Sequence, residues 1–185
     1  MKIKKIIDLI KKSGVLAIYE SKDCQWLSDG HATYPVTDLP EICSVTLCAM
    51  YDITAKQADK LRIIDRIALP TTCNYADTVE NEKIIPECPI EIIVSDKRLV
   101  AYATSQGIAF LDKRYLAPFS DMDENMLRVY ERYTADGDLY FVVKNGFMLV
   151  GVIEPAKVIN VDFVASIKSM ATACEIALQN VKEEV

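Results

Sequence analysis

The sequence is poor in the residues that mark fibrous, disordered or disulfide-stapled chains. Its 185 residues include 6 glycines, 7 prolines, 6 cysteines and a single histidine. So little glycine and proline excludes collagen-like and low-complexity chains. No apolar run approaches the ~18 residues that a membrane-spanning helix needs. Because hydrophobic residues make up 51% of the chain, we expect a soluble protein that folds around a packed core.

Motifs for the common catalytic and cofactor sites are also lacking. His31 is the only histidine, and no nucleophile elbow supports a Ser–His or Cys–His pair. The cysteines form no close pair of the kind that binds zinc, and no glycine-rich phosphate loop occurs. We therefore predict no catalytic residue, no cofactor and no metal, and the absences favour a binding function. The alternative is an enzyme with a dispersed site, for instance Cys24 or His31 with carboxylates.

The cysteine pattern and the N-terminus predict a cytoplasmic protein. Lysines interrupt residues 1–14 before a signal-peptide apolar region can form. A chain of this size does not need disulfide staples, so we expect reduced, buried thiols. For Cys43 and Cys48 the prediction is modification by a thiol reagent only after denaturation.

Hydrophobic periodicity predicts two helices in the first third of the chain. The first spans Lys2–Lys12, and the second begins at Thr54, where Gln57 completes a capping-box pattern, and ends before Pro70. Alternating apolar runs predict a strand meander after each helix. These strands span residues 15–19, 25–28, 32–36, 91–95, 99–104 and 108–111.

The last third predicts another strand, a hairpin and a third helix. The strand spans Leu127–Tyr133, and Asn145-Gly146 is expected to form a type I′ turn between the hairpin strands Leu139–Val143 and Phe147–Ile153. Both faces of the hairpin are apolar, so we expect the last helix or a partner to cover it. Phe141 and Leu149 are the residues predicted for such an interface.

The third helix follows Asn160, which is a candidate N-cap. Its apolar residues repeat at alternating four- and three-residue spacing, which favours a helix that faces the core over a coiled coil. They are Phe163, Ile167, Met170, Cys174, Ala177 and Val181.

These elements predict an α+β fold with largely antiparallel sheets and three main helices. The sheets would be built from the strand meanders and the C-terminal hairpin. We predict one domain over residues 1–185, with 1–68 and 84–185 as sub-halves joined by a loop that contains proline and cysteine.

Positive charge is concentrated in the first third of an acidic chain. The formal net charge is −6 and the pI is about 4.9, which argues against a general nucleic-acid binder. The two predicted helices nevertheless carry cations that would suit phosphate contacts on DNA if they shared a surface. These are Lys4, Lys5, Lys11, Lys12, Lys56, Lys60, Arg62 and Arg66.

Two resemblances add expectations. The stretch from Gln25 to Pro35, QWLSDGHATYP, with the lysine-rich helix before it, resembles uncharacterised proteins of phages and prophages of Gram-positive bacteria. This implies a mobile-element origin and carries over no catalytic residue. The order helix, strands, helix, strands resembles a DNA sliding-clamp domain, which implies basic helices around duplex DNA.

The sequence therefore predicts a non-enzymatic interaction or assembly module of phage or prophage origin that self-associates or binds a protein partner. One alternative is a sliding-clamp-like accessory of DNA replication or recombination. The other is the enzyme with a dispersed site. No membrane association is expected.

Overall fold

The computed structural model describes residues 1–22, 24–37, 39–158 and 161–183. The chain divides into two compact units, Met1–Pro155 and Ala156–Val185. A 3-10 helix, Lys113–Phe119, belongs to the first unit. In chain order the other elements are α1 (Ile3–Ser13), β1 (Val15–Glu20), β2 (Gln25–Ser28), β3 (Ala32–Val36), α2 (Ser44–Met50), α3 (Ala55–Ala58), β4 (Arg62–Ala68), β5 (Lys83–Ile84), β6 (Glu87–Val94), β7 (Lys97–Thr104), β8 (Gly107–Asp112), β9 (Leu127–Tyr133), β10 (Leu139–Asn145), β11 (Met148–Ile153) and α4 (Val161–Glu183).

Two sheets organise the first unit. The large sheet has the strand order β4-β1-β2-β3-β11-β10-β9-β5, and the small sheet has the order β6-β7-β8. Only the β1–β4 pair is parallel in the described ladders. The predicted α+β class with largely antiparallel sheets is confirmed. Because β3 pairs with β11, the large sheet takes strands from both predicted sub-halves.

The first helix is confirmed and the second is wrong. Ile6, Ile7 and Ile10 bury one face of α1, and Gly14, at φ 77°, ends it by donating its N–H to the Ile10 carbonyl. The Thr54–Gln57 capping box exists, but its helix is only Ala55–Ala58. Residues 62–68 instead form β4, which pairs with β1. The chain also contains α2, which the sequence pattern did not predict.

The C-terminal hairpin is confirmed, but its turn lies one residue later than predicted. Asn145 pairs with Met148, so Gly146 and Phe147 occupy the turn. A type I′ turn needs positive φ at both central residues. Gly146 has φ 62°, whereas Phe147 is not among the positive-φ residues, so the type I′ prediction is wrong.

Both faces of the hairpin are buried within the first unit. Phe141 and Val143 belong to the main core cluster, which includes the apolar face of α1. Tyr140, Val142 and Leu149 form a second cluster with Trp26 on the opposite face. Phe141 is 0% and Leu149 5% exposed. Both predicted interface residues are therefore core residues in this structure, since their side chains leave almost no surface for a partner.

Residues 69–82, here called the strap, provide cover on the Trp26 face. Strap residues Leu69, Cys73 and Tyr75 pack against the second cluster. This cover corrects the expectation that the last helix or a partner is needed to bury that face. The prolines and the polar run predicted mainly loop over residues 69–89. This is confirmed for the strap, whereas Lys83–Ile84 form β5 and β6 begins at Glu87.

Gly151 gives β11 its close approach to the 3-10 helix. A Cβ at this position would lie 2.7 Å from Phe119 Cζ and 3.4 Å from Tyr34 Cδ1. Both rings are buried in the main core, so neither can move freely to make room.

We expect Gly151→Ala to lower the free energy of unfolding by about 1 to 3 kcal/mol, as overpacking of a core does. Urea denaturation would measure it. In a Phe119→Leu background, which lacks the ring carbon at the contact, Gly151→Ala should lower the free energy of unfolding by less. Equal losses in the two backgrounds would mean that the Phe119 contact is not the cause.

Candidate functional site

One apolar surface that is exposed along a single long element lies on α4. Ile167 is 45% and Met170 61% exposed, and Cys174 is also exposed. All described side chains from 165 to 176 are exposed. The helix prediction is confirmed, and the expectation that this helix faces the core stays a prediction. The predicted cap, Asn160, lies outside the described residues, as do the side chains of Ala177 and Val181.

The sequence of α4 keeps charge away from this surface. Between positions 163 and 181 only Lys168 and Glu175 are charged. Phe163, Ile167, Met170 and Cys174 follow the a and d positions of a heptad, and we call this set the α4 stripe. The residues that flank it include Ala171 and Ala173, whose small side chains permit close approach of another helix. The stripe thus has the spacing and the bulk of a helix-pairing surface.

The predicted DNA-contact cations do not lie on two helices. Lys56 is on α3, Lys60 follows it, and Arg62 and Arg66 are on strand β4. This part of the prediction is wrong, because the apolar residues of β4 repeat at helical spacing although they form a strand. All eight cations are exposed, including Lys4, Lys5 and Lys11 on α1.

Some of these cations already have acidic partners. Arg66 pairs with Glu20 and Glu41, and Lys12 pairs with Asp96. Such pairs reduce the positive potential available to a phosphate backbone. DNA contact and the clamp-like function stay predictions.

The structure places His31 next to a carboxylate but away from Cys24. His31 lies in the β2–β3 turn, where its Nδ1 is 3.3 Å from Glu154 Oε2, and both side chains are more than 60% exposed. Cys24 contacts Ser21 at the other end of β2. At ~3.3 Å per strand residue, β2 keeps the thiol and the turn about 15 Å apart. The two candidates therefore lie apart, and the enzyme with a dispersed site stays a prediction.

Ion pairs line a polar cavity that includes His31. It measures about 200 Å³ and is lined by residues that include Lys12, Asp29, Asp96 and Arg114. Arg114 donates to buried Asp112 through Nε and Nη2 and also pairs with Asp96. Its hydrogen bond to Asp112 raises the Arg114 pKa, and the hydrogen bond from Lys12 lowers the pKa of Asp96. These pairs join the small sheet to α1 and leave the cations occupied.

All six cysteines are thiols, but Cys43 and Cys48 differ in environment. Cys43 is the N-cap of α2, where its N–H donates to Thr46 Oγ1 at 2.9 Å. The backbone N–H and then the hydroxyl of Thr46 donate toward the Cys43 sulfur and lower its thiol pKa. Burial raises the pKa of Cys48. Neither residue is fully buried, contrary to the expectation for both.

We expect iodoacetamide to modify Cys43 in the native protein at a lower pH than Cys48, because the thiolate is the reactive form. Mass spectrometry of the labelled peptides across a pH series would measure both rates. Thr46→Val removes the hydroxyl donor and should slow Cys43 alone. Labelling of both thiols at one rate across the series would contradict the assignment.

The described residues contain neither a membrane-spanning helix nor a metal-binding cluster, and known proteins give no match. None of the helices in the described ranges has the length and apolar character to cross a membrane. Among the same residues, no three or more His, Cys, Asp or Glu side chains are grouped to hold a metal ion. No protein-family model, curated protein or solved structure matches the chain.

Proposed function

We propose that the chain is a non-enzymatic assembly module that self-associates through the α4 stripe. The observation that supports this most directly is the exposure of large apolar side chains along a 23-residue helix. Most helices in water are stabilised by packing of an apolar face, not by intrinsic propensity. A helix with this composition therefore gains stability when its stripe is covered.

A second copy of the chain is the partner that this pattern fits. Two helices with the same heptad repeat pack side chains of one into the spaces of the other. The α4 stripe offers large residues, Ile167 and Met170, beside the small Ala171 and Ala173. An identical surface on each copy also gives a closed, symmetric interface, which is the commonest form of protein assembly.

Low charge beside the stripe favours self-association over a charged partner. With Ile167 at position a and Met170 at position d of the repeat, Lys168 and Glu175 both occupy position b. This position lies outside the a, d, e and g positions that form the interface between two helices. Two copies can then approach without like-charge repulsion across the interface. A strongly charged partner would find no complementary side chains in these positions.

We expect the reduced protein to form a discrete oligomer, and Ile167→Asp to shift it to the monomer, because a carboxylate in the stripe would be buried without a partner. Size-exclusion chromatography with light scattering, over a range of micromolar concentrations, would measure the mass. Thr172→Asp places the same charge on the opposite side of α4 and should leave the oligomer intact.

A wild-type chain that is monomeric throughout this range would overturn the proposal. Equal dissociation of both variants would show a general effect of charge on α4 instead of a specific interface. Circular dichroism of each variant separates loss of assembly from loss of helix.

Cys174 provides an independent readout, since its thiol lies on the stripe and is exposed in the single chain. Its rate of alkylation should fall as protein concentration rises and the stripe becomes covered. In Ile167→Asp the rate should stay high at every concentration. A wild-type rate that does not depend on concentration would contradict burial of the stripe.

A further inference from the structure

The large sheet opens between two of its central strands. β3 and β11 pair at Thr33–Val152 and Ala32–Ile153. Beyond these two pairs the described ladder between them stops. A cavity of about 530 Å³ begins there, lined by residues 35–37 on the β3 side and 148–150 on the β11 side. We call it the sheet cleft.

Two features of the sequence prevent the strands from closing. Continuing the β3–β11 register would place Val150 opposite Pro35, and proline has no N–H to offer to the ladder. The β10–β11 register also skips Val150, because Val143 pairs with Gly151 and Lys144 with Leu149. A bulge of this kind bends its strand and increases the twist.

Where the β3–β11 ladder stops, a side chain takes the backbone N–H of Leu149 in place of a strand carbonyl. The Leu149 N–H donates to Asp77 Oδ1 of the strap at 2.8 Å. In a continuous sheet, a carbonyl of the neighbouring strand would accept this bond. Asp77 therefore occupies the place of a missing strand's backbone acceptor.

The walls of the sheet cleft define what could fill it. Trp26 and Tyr75 meet edge to face, with ring centroids 5.1 Å apart, and Met148, which is 62% exposed, adds apolar surface. Asp77 is a carboxylate in the wall, and no Lys, Arg or His side chain is among the described lining residues. The N-terminal amine of Met1, which also lines the cleft, is paired with Asp121 at 3.3 Å.

We propose that the sheet cleft binds an extended segment of another protein, apolar and carrying a basic side chain, which pairs with β11 as an added strand. The Leu149 N–H suits backbone pairing with a peptide, because a peptide carbonyl can replace the Asp77 carboxylate as its acceptor. The apolar walls can contact every second side chain of an extended peptide. When a peptide carbonyl replaces Asp77 at the Leu149 N–H, the carboxylate is released beside the peptide. Charge complementarity then favours lysine or arginine over an acidic residue.

The test uses the single tryptophan of the chain, because Trp26 lines the cleft and its emission should respond to an occupant. The probe is acetyl-Val-Lys-Val-Thr-Val-amide, with a glutamate version and two versions methylated on alternate backbone nitrogens. We expect saturable binding of the lysine peptide and about tenfold weaker binding of the glutamate peptide. At least one methylated peptide should bind about tenfold more weakly or worse, because N-methylation removes a backbone N–H donor and adds a methyl group where the strands would pair.

Asp77→Asn identifies the source of the charge preference. The amide oxygen can still accept the Leu149 N–H, so this variant should keep its fold and bind the lysine and glutamate peptides alike. Asp136→Asn makes the same change at an exposed turn outside the cleft and should retain the preference for lysine.

Three results would overturn the proposal. One is the absence of any saturable emission change with all four peptides at millimolar concentration. Another is equal affinity for the methylated and unmethylated peptides, which would show side-chain contact without strand pairing. The third is a preference for lysine that persists in Asp77→Asn. Oligomer mass does not enter these measurements, so this test is independent of the α4 assembly.

Discussion

Burial of β10 on both faces is the constraint on which the rest of the first unit depends. Phe141 and Val143 point to the main core, while Tyr140 and Val142 point to the opposite cluster. A strand with apolar residues on both sides needs cover on both sides. On one face α1 and the 3-10 helix contribute to the same core, and on the other the strap supplies cover. The strap is thus a structural layer, although it is mainly irregular.

Buried charge holds this irregular layer in place. Glu82 of the strap pairs with Arg132 and Lys144 on the large sheet, and all three side chains are at most 7% exposed. Arg132 also donates to the Asn74 carbonyl at 2.7 Å, and the Asn74 N–H donates to the Tyr140 hydroxyl at 2.8 Å. Removing one member of a buried ion pair leaves its partner uncompensated. The network therefore fixes the strap, and with it the positions of Tyr75 and Asp77 in the wall of the sheet cleft.

Apolar runs in the sequence predicted the two strands of the hairpin, whereas the turn chemistry of Asn145-Gly146 placed its turn one residue too early. The error over residues 62–68 has a physical cause. Ile63, Ile64 and Ile67 repeat at helical spacing, but β-branched side chains favour a strand, and β1 supplies a parallel partner. The capping box at Thr54 correctly marked a helix start and carried no information about its length. For α4, periodicity identified the apolar face but could not identify what covers it.

The sheet cleft was only partly readable from the sequence. Pro35 within a predicted strand is a signal that one edge of β3 cannot form a full ladder. The bulge at Val150 depends on the register between β10 and β11, which single-strand patterns do not determine. The acceptor for the Leu149 N–H depends in turn on where the strap places Asp77, 72 residues earlier in the chain.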